Sequence, residues 1–144
     1  TAYRRQRQMC IRDRSDGQTC AVCTDLGCVT PEVKKGVYGA DLVLLEANYD
    51  PSMLRNGPYP EMLQERIRGK YGHLSNGDSA GMAEALIAHG TTRLILGHLS
   101  ENNNTMPLAQ QTVLEHLQEQ GMRRNQDFLL QVSSPEGLKQ AVIF

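Results

Sequence analysis

Four side chains that could bind a metal ion or move a proton lie where buried segments of the chain end. They are Asp25 after TCAVCT, Glu46 at the end of DLVLLE, His73 in GHLSN and His98 after TRLILG. In open α/β folds the loops at strand ends converge, because the strands fix their positions. A carboxylate with a neutral imidazole suits a divalent metal, and a separate Glu–His pair suits proton transfer. Each residue alone could equally be a turn former, a solvated strand end or a surface histidine.

The segments that must position these side chains alternate between buried strands and helices. Apolar or β-rich runs predict strands over residues 19–24, 41–46, 92–97, 128–132 and 141–144. Caps, stop signals and helical spacing predict helices over residues 31–37, 61–70, 79–89 and 108–120. Asp16-Gly17 is a hairpin turn signal, and the Pro/Gly/Asn/Tyr-rich stretch 48–60 is expected to be a loop. Alternating strands and helices favour a layered α/β architecture.

The first 14 residues differ in composition and patterning from the rest of the chain. They are strongly basic and show neither helical nor strand periodicity, and the string MCIRDR resembles translated sequencing-adapter read-through. A native basic arm that binds phosphates is the alternative. We expect a non-native or disordered leader over residues 1–14 and the folded part over residues 15–144.

The charge balance, apolar content and cysteine positions argue against a membrane protein and a disulfide scaffold. Lys and Arg number 15 and Asp and Glu 16, so no global charge points to a nucleic acid or a membrane. No stretch approaches the roughly 20 apolar residues of a membrane span. The four cysteines crowd the first fifth of the chain, unlike those of a disulfide scaffold. Cys20 and Cys23 would face opposite sides of a strand, which favours core packing over a zinc site. We expect a cytoplasmic protein with reduced thiols and no membrane partner.

Four motifs together resemble the metallo-β-lactamase superfamily, in particular its WalJ-type hydrolases, whose site is similar to that of ribonuclease Z. They are TDLGCVT (24–30), LLEANYDPSMLRNGPYP (44–60), RIRGKYGHLSNGDSA (66–80) and LILGHLSENNNT (94–105). The resemblance implies the C-terminal half of an αββα sandwich with a two-metal site between its sheets. It also implies phosphodiester hydrolysis with nucleic acid as the substrate, by DNA exonuclease activity.

The resemblance also implies roles for the four side chains. Asp25 would bridge two divalent metal ions, Zn or Mn, since only a carboxylate offers two oxygens to a metal pair. His98 would ligate one of the ions. His73 would donate a proton to the leaving oxygen, and Glu46 would orient His73.

Further polar residues near the motifs could contact substrate. The substrate-binding candidates are Ser75, Asn103 and Asn104. A polar loop with helix-capping residues explains the asparagines about as well. A patch for a nucleic-acid backbone, or else a solvated helix face, is expected from Arg55, Arg66, Arg68 and Lys70.

One motif of the family is missing from this sequence, and its absence determines whether we expect the chain to be active. The first metal motif, His-x-His-x-Asp-His, is absent, and the other two histidines, His89 and His116, are expected to be structural or solvent-facing. Two ligands cannot hold a catalytic metal that usually needs three. We therefore expect an inactive fragment whose sheet carries helices on one side and leaves an apolar face uncovered. A small-ester or thioester metallo-hydrolase and a non-catalytic interaction module remain the alternatives.

Overall fold

The computed structural model describes residues 9–138 and residue 142. A mixed sheet has the strand order β1-β2-β3-β4-β5, with β1 antiparallel to β2 and the remaining neighbours parallel. The strands are β1 Met9–Ser15, β2 Gln18–Thr24, β3 Leu42–Glu46, β4 Arg93–Gly97 and β5 Leu129–Val132. The helices are α1 Pro31–Val37, α2 Pro51–Asn56, α3 Glu61–Arg68, α4 Asn76–Ala88 and α5 Met106–Glu119. The predicted α/β fold class is confirmed. None of these helices is long and apolar enough to cross a membrane, within the residues that the structure describes.

The hairpin at the start of the described chain follows its turn signal. Asp16 and Gly17 both have positive φ, 50° and 80°, as a two-residue turn between antiparallel strands requires. Residues 9–14, assigned above to a leader, form most of β1 and pair with β2. Their side chains from residue 11 onward are exposed, so the pairing rests on the backbone and needs no hydrophobic periodicity. That the leader is non-native stays a prediction, and residues 1–8 lie outside the described residues.

Capping side chains determine where the helices start, and the starts of three helices differ from those that the sequence predicts. The hydroxyl of Ser75 accepts from Asp78 N, so α4 begins at Asn76 and not at residue 79. The hydroxyl of Thr105 likewise starts α5 at Met106. The predicted loop over residues 48–60 contains α2, because Asp50 caps it and Pro51 occupies its first position. The strand predicted over residues 141–144 lies outside the described residues, apart from Val142.

The hydrophobic core lies on one face of the sheet. Alternate strand residues point into it, among them Cys23, Leu45 and Leu96, and each is fully buried. Leu86 of α4 and Val113 of α5 belong to the same buried cluster. The helices that close the core therefore pack on this face.

The opposite face, called here the open face, carries a row of apolar side chains outside the main buried cluster. The strand register lines up Ile11, Val22, Leu44 and Ile95 across β1 to β4. None of the four belongs to the cluster of buried side chains, as far as the chain is described. Ile11 is 54% exposed and Val22 and Leu44 are partly exposed, whereas Ile95 is buried, so the exposed part of the face lies over β1 to β3. One sheet with helices on a single side is what the half-sandwich prediction requires.

The two faces of β3 allow a matched test. We expect Leu45→Ala to lower the free energy of unfolding by about 2–5 kcal/mol, because it leaves a cavity in the core. Leu44→Ala, one residue away on the open face, should cost less and should raise the soluble fraction of the isolated chain. Urea unfolding and sedimentation measure both effects. An equal loss of stability from both variants would show that the open face is packed.

Candidate metal centre

The predicted site residues meet at one edge of the sheet. Because β2, β3 and β4 run parallel, their carboxyl ends lie side by side. Asp25 follows β2, Glu46 ends β3, His98 follows β4, and His73 comes from the loop before α4. Each offers one ligand atom, and these atoms all lie within 4.8 Å of one another. The structure therefore brings all four predicted side chains together.

The carboxylate of Glu46 is fully buried at the centre of this cluster. Its Oε1 accepts from Nδ1 of His73 at 2.7 Å and from Nδ1 of His98 at 2.6 Å. Its Oε2 accepts from the backbone N–H groups of Leu26 at 2.8 Å and Leu74 at 3.3 Å. Burial raises the pKa of Glu46, but the hydrogen bonds from both histidines and from Leu26 outweigh it, so the pKa lies below its usual value. Glu46 is thus held as a carboxylate.

The two imidazoles share one orienting partner. Their ring centroids lie 5.2 Å apart at an interplanar angle of 62°. With each Nδ1–H donated to Glu46, the Nε2 of each neutral ring keeps a lone pair for a metal ion or a proton. The hydrogen bond that His98 donates to Glu46 raises the pKa of His98, against a smaller opposing effect of desolvation. Sequence reasoning expected Glu46 to orient His73 and missed that it orients His98 as well.

Asp25 completes the cluster through a strained backbone. Its Oδ1 lies 3.7 Å from Nδ1 of His73 and 3.8 Å from Nδ1 of His98. Asp25 and His98 both have φ of 56°, in the left-handed region that non-glycine residues rarely adopt. Such conformations cost about 1–3 kcal/mol each and concentrate at functional sites. The strain falls on the two residues predicted to bind metal.

Two glycines let the loops of the site touch. A Cβ on Gly27 would lie 2.2 Å from the carbonyl oxygen of Lys70, and a Cβ on Gly72 would lie 2.1 Å from that of Ile67. The loop after Asp25 therefore packs directly on the segment before His73. Both glycines lie within two residues of a site residue, and this proximity is the feature of the sequence that points to them.

Two of the predicted substrate-binding residues are buried and make local hydrogen bonds. Ser75 caps α4 with its hydroxyl and is 8% exposed. Asn103 is 1% exposed, and its Nδ2 donates to Oγ of Ser100 at 3.3 Å. The Oδ1 of Asn103 has no hydrogen-bond partner among the described residues. That either residue binds substrate stays a prediction.

The third candidate, Asn104, belongs to a buried amide network. Its Nδ2 donates to the carbonyl of Ala47 and to Oδ1 of Asn76, both at 2.8 Å. Nδ2 of Asn76 donates back to Oδ1 of Asn104 at 2.9 Å. Nearby, Nδ2 of Asn48 donates to the carbonyl of His98 at 2.7 Å and fixes that residue's backbone. Sequence reasoning missed Asn48 and Asn76, and the substrate contact of Asn104 stays a prediction.

A cleft of about 540 Å³ opens beside the two histidines. Its lining comes from α3, the segments on either side of it, Asn48 and the loop after β4, and includes Tyr59, Leu63, Arg66, Ile67, His73, His98, Glu101 and Asn102. The other two histidines take no part in it. His116 pairs with Glu84 at 2.7 Å, and His89 stacks on Tyr38 with ring centroids 3.8 Å apart.

The close approach at Gly27 generates a prediction that does not depend on metal. We expect Gly27→Ala to lower the free energy of unfolding by about 1–3 kcal/mol, because the added methyl group meets backbone that cannot move aside. Gly81→Ala is the control, since a Cβ there meets nothing within 4 Å. It should be neutral or raise stability by about 0.5–1 kcal/mol, as expected inside a helix. Urea unfolding measures the free energy of unfolding of both variants. If Gly27→Ala is as stable as wild type, the close contact between the two loops is contradicted.

Known proteins were compared with the chain. No protein-family model matches it. It is 35% identical over 125 residues to a protein named exodeoxyribonuclease WalJ in two strains of Streptococcus pneumoniae, covering 87% of this chain and 46% of that protein. It is 33% identical over 122 residues to a protein of Bacillus anthracis named exodeoxyribonuclease YycJ, covering 85% of this chain and 46% of that protein. The chain spans about half the length of the curated relatives it matches. The resemblance seen in its motifs is thereby confirmed, and the chain is a partial-length relative of the WalJ/YycJ-type proteins of the metallo-β-lactamase superfamily.

Proposed function

We propose that the complete gene product containing these residues is a metal-dependent hydrolase of phosphodiester bonds that acts on DNA as an exonuclease. The observation that carries the proposal is the convergence of Asp25, His73 and His98 around the buried carboxylate of Glu46. The relatives' names, exodeoxyribonuclease WalJ and YycJ, support the choice of DNA as the substrate. A cytoplasmic location belongs to the same proposal, supported by the reduced thiols of Cys10, Cys20 and Cys23.

The donors present fit a divalent metal such as Zn or Mn. Asp25 contributes a carboxylate, and His98 contributes an imidazole whose Nδ1 is committed to Glu46, leaving Nε2 for a metal. We assign these two as metal ligands, with Asp25 bridging a pair of ions. When bound, the ions supply an activated water and stabilise charge on the attacking and leaving oxygens.

We assign His73 as the acid for the leaving oxygen: its Nε2 first takes up a proton and then passes it to that oxygen, while Glu46 is its positioning residue. His73 lines the cleft and is 19% exposed, so it can reach a bound substrate. Its hydrogen bond to Glu46 fixes the ring orientation. The competing assignment is a third metal ligand, because His73 lies as close to Asp25 as His98 does. Substitution of His73 followed by measurement of bound metal distinguishes the proton-donor role from the metal-ligand role.

The site needs more ligands than this chain is proposed to provide. Catalytic metal sites usually have three protein ligands per ion and one open position. Strand alternation places Glu46 on the same side of β3 as Leu44, so the cluster lies at the edge of the open face. Whatever covers that face therefore also borders the site. We propose that the covering part carries the remaining ligands and that the chain alone is inactive.

Removal of the imidazole of His73 tests its role. In the complete gene product, we expect His73→Ala to lower kcat on DNA by roughly 10²–10⁴-fold while the metal content stays unchanged. Asp25→Ala and His98→Ala should lose metal as well as activity. His116→Ala, outside the cluster, is the control and should leave both unchanged. Metal analysis and exonuclease kinetics give the readouts, and loss of metal from His73→Ala would make that residue a ligand instead.

The incompleteness of the site gives a second test. We expect the 144-residue chain neither to bind zinc tightly nor to hydrolyse DNA, because it offers too few ligands for a catalytic ion. The complete gene product should do both. Calorimetric zinc titration and nuclease assays compare the two proteins. Activity of the complete protein on small esters or thioesters but not on DNA would favour the alternative hydrolase, and no activity on either would favour an interaction module.

A further inference from the structure

Helix α3 contributes a wall to the cleft and almost nothing to the core. No residue of α3, which is described over its whole length, is buried, and Met62 and Leu63 are 84% and 38% exposed. Leu63, Arg66 and Ile67 line the cleft, at the three- and four-residue spacing of one helical face. A helix whose apolar face meets no core is available to a ligand.

Arg66 presents a charge that the described residues do not neutralise. Its side chain is exposed and makes no hydrogen bond or ion pair with any residue that the structure describes. It faces the cleft that His73 and His98 also line. The planar guanidinium group matches the oxygens of a phosphate and is suited to paired hydrogen bonds with them. Of the four basic residues in the patch predicted from the sequence, Arg66 alone lines this cleft.

Tyr59 supplies an aromatic ring at the same wall. Nδ2 of Asn102 donates to its hydroxyl oxygen at 3.1 Å, and Nε2 of Gln64 donates to its carbonyl oxygen at 2.9 Å. Hydrogen bonds therefore hold both the hydroxyl and the backbone of Tyr59. Aromatic faces stack on unpaired bases whatever their sequence, so such a ring suits a single strand better than a duplex.

We propose that this cleft is a nucleotide subsite for single-stranded DNA, in which Arg66 pairs with a backbone phosphate and the ring of Tyr59 packs on a base. The inference rests on the proposed function and adds the residues that hold the strand beside His73 and His98. The cleft volume of about 540 Å³ lies within the range of small-ligand sites. Loss of this subsite weakens binding of the strand and leaves the metal ligands in place.

The test measures DNA binding by the complete gene product with EDTA present, so that nothing is cleaved. Fluorescence anisotropy with a labelled single-stranded oligonucleotide gives Kd at several salt concentrations. We expect Arg66→Gln to raise Kd about tenfold and to make the slope of log K against log salt shallower by about 0.7, as for one lost phosphate contact. Tyr59→Leu should also raise Kd, whereas Tyr59→Phe keeps the ring and should bind nearly as wild type.

Arg68→Gln is the matched control, because Arg68 is exposed on the same helix and lies outside the cleft. It should match wild type in Kd and salt slope, and thermal unfolding should show that all variants fold. If wild type binds and cleaves DNA while Arg66→Gln behaves as Arg68→Gln does, the subsite is overturned and the proposed function stands. If wild type neither binds nor cleaves DNA, the proposed function itself is overturned.

Discussion

A buried carboxylate that must find partners organises the functional edge of this protein. Glu46 is inaccessible to solvent, and an unpaired buried charge would be far too costly to keep. Its two oxygens take four hydrogen bonds, from His73, His98 and the backbone of Leu26 and Leu74. These donors come from three separate loops. Satisfying one charge therefore fixes the loop after β2, the segment before α4 and the loop after β4 at the same time.

The same constraint links the open face to the cluster. Glu46 stands at the end of a strand whose alternate residues face away from the main core, beside a row of apolar side chains outside the main buried cluster. A partner layer on the open face would exclude water from that row and would also enclose one side of the cluster. Stability and metal binding would then both depend on the contacts made by such a layer.

Local strain and close packing are the means by which the loops reach this arrangement. Asp25 and His98 accept a left-handed backbone immediately after their strands. Gly27 lets the loop after β2 touch the backbone at Lys70, and Gly72 lets the chain after α3 turn tightly against Ile67. The hydrogen bonds to Glu46 offset the cost of these conformations, since charge-assisted hydrogen bonds are the stronger ones.

The sequence by itself determined β2 to β5, the starts of α1 and α3 and the identity of the four clustered side chains, because apolar runs and caps act over a few neighbouring residues. The sequence did not predict that β1 pairs with β2, because pairing through the backbone leaves no hydrophobic periodicity. It also did not predict the helix within residues 48–60, because a helix of six residues is too short to show a clear helical period. Only the tertiary structure decided that Glu46 holds His98 as well as His73, residues that lie 52 and 27 positions away. It alone placed Asn104 in a buried amide pair and Arg66 at the cleft. Those outcomes depend on which distant loops meet at the edge of a parallel sheet, and no local pattern encodes that meeting.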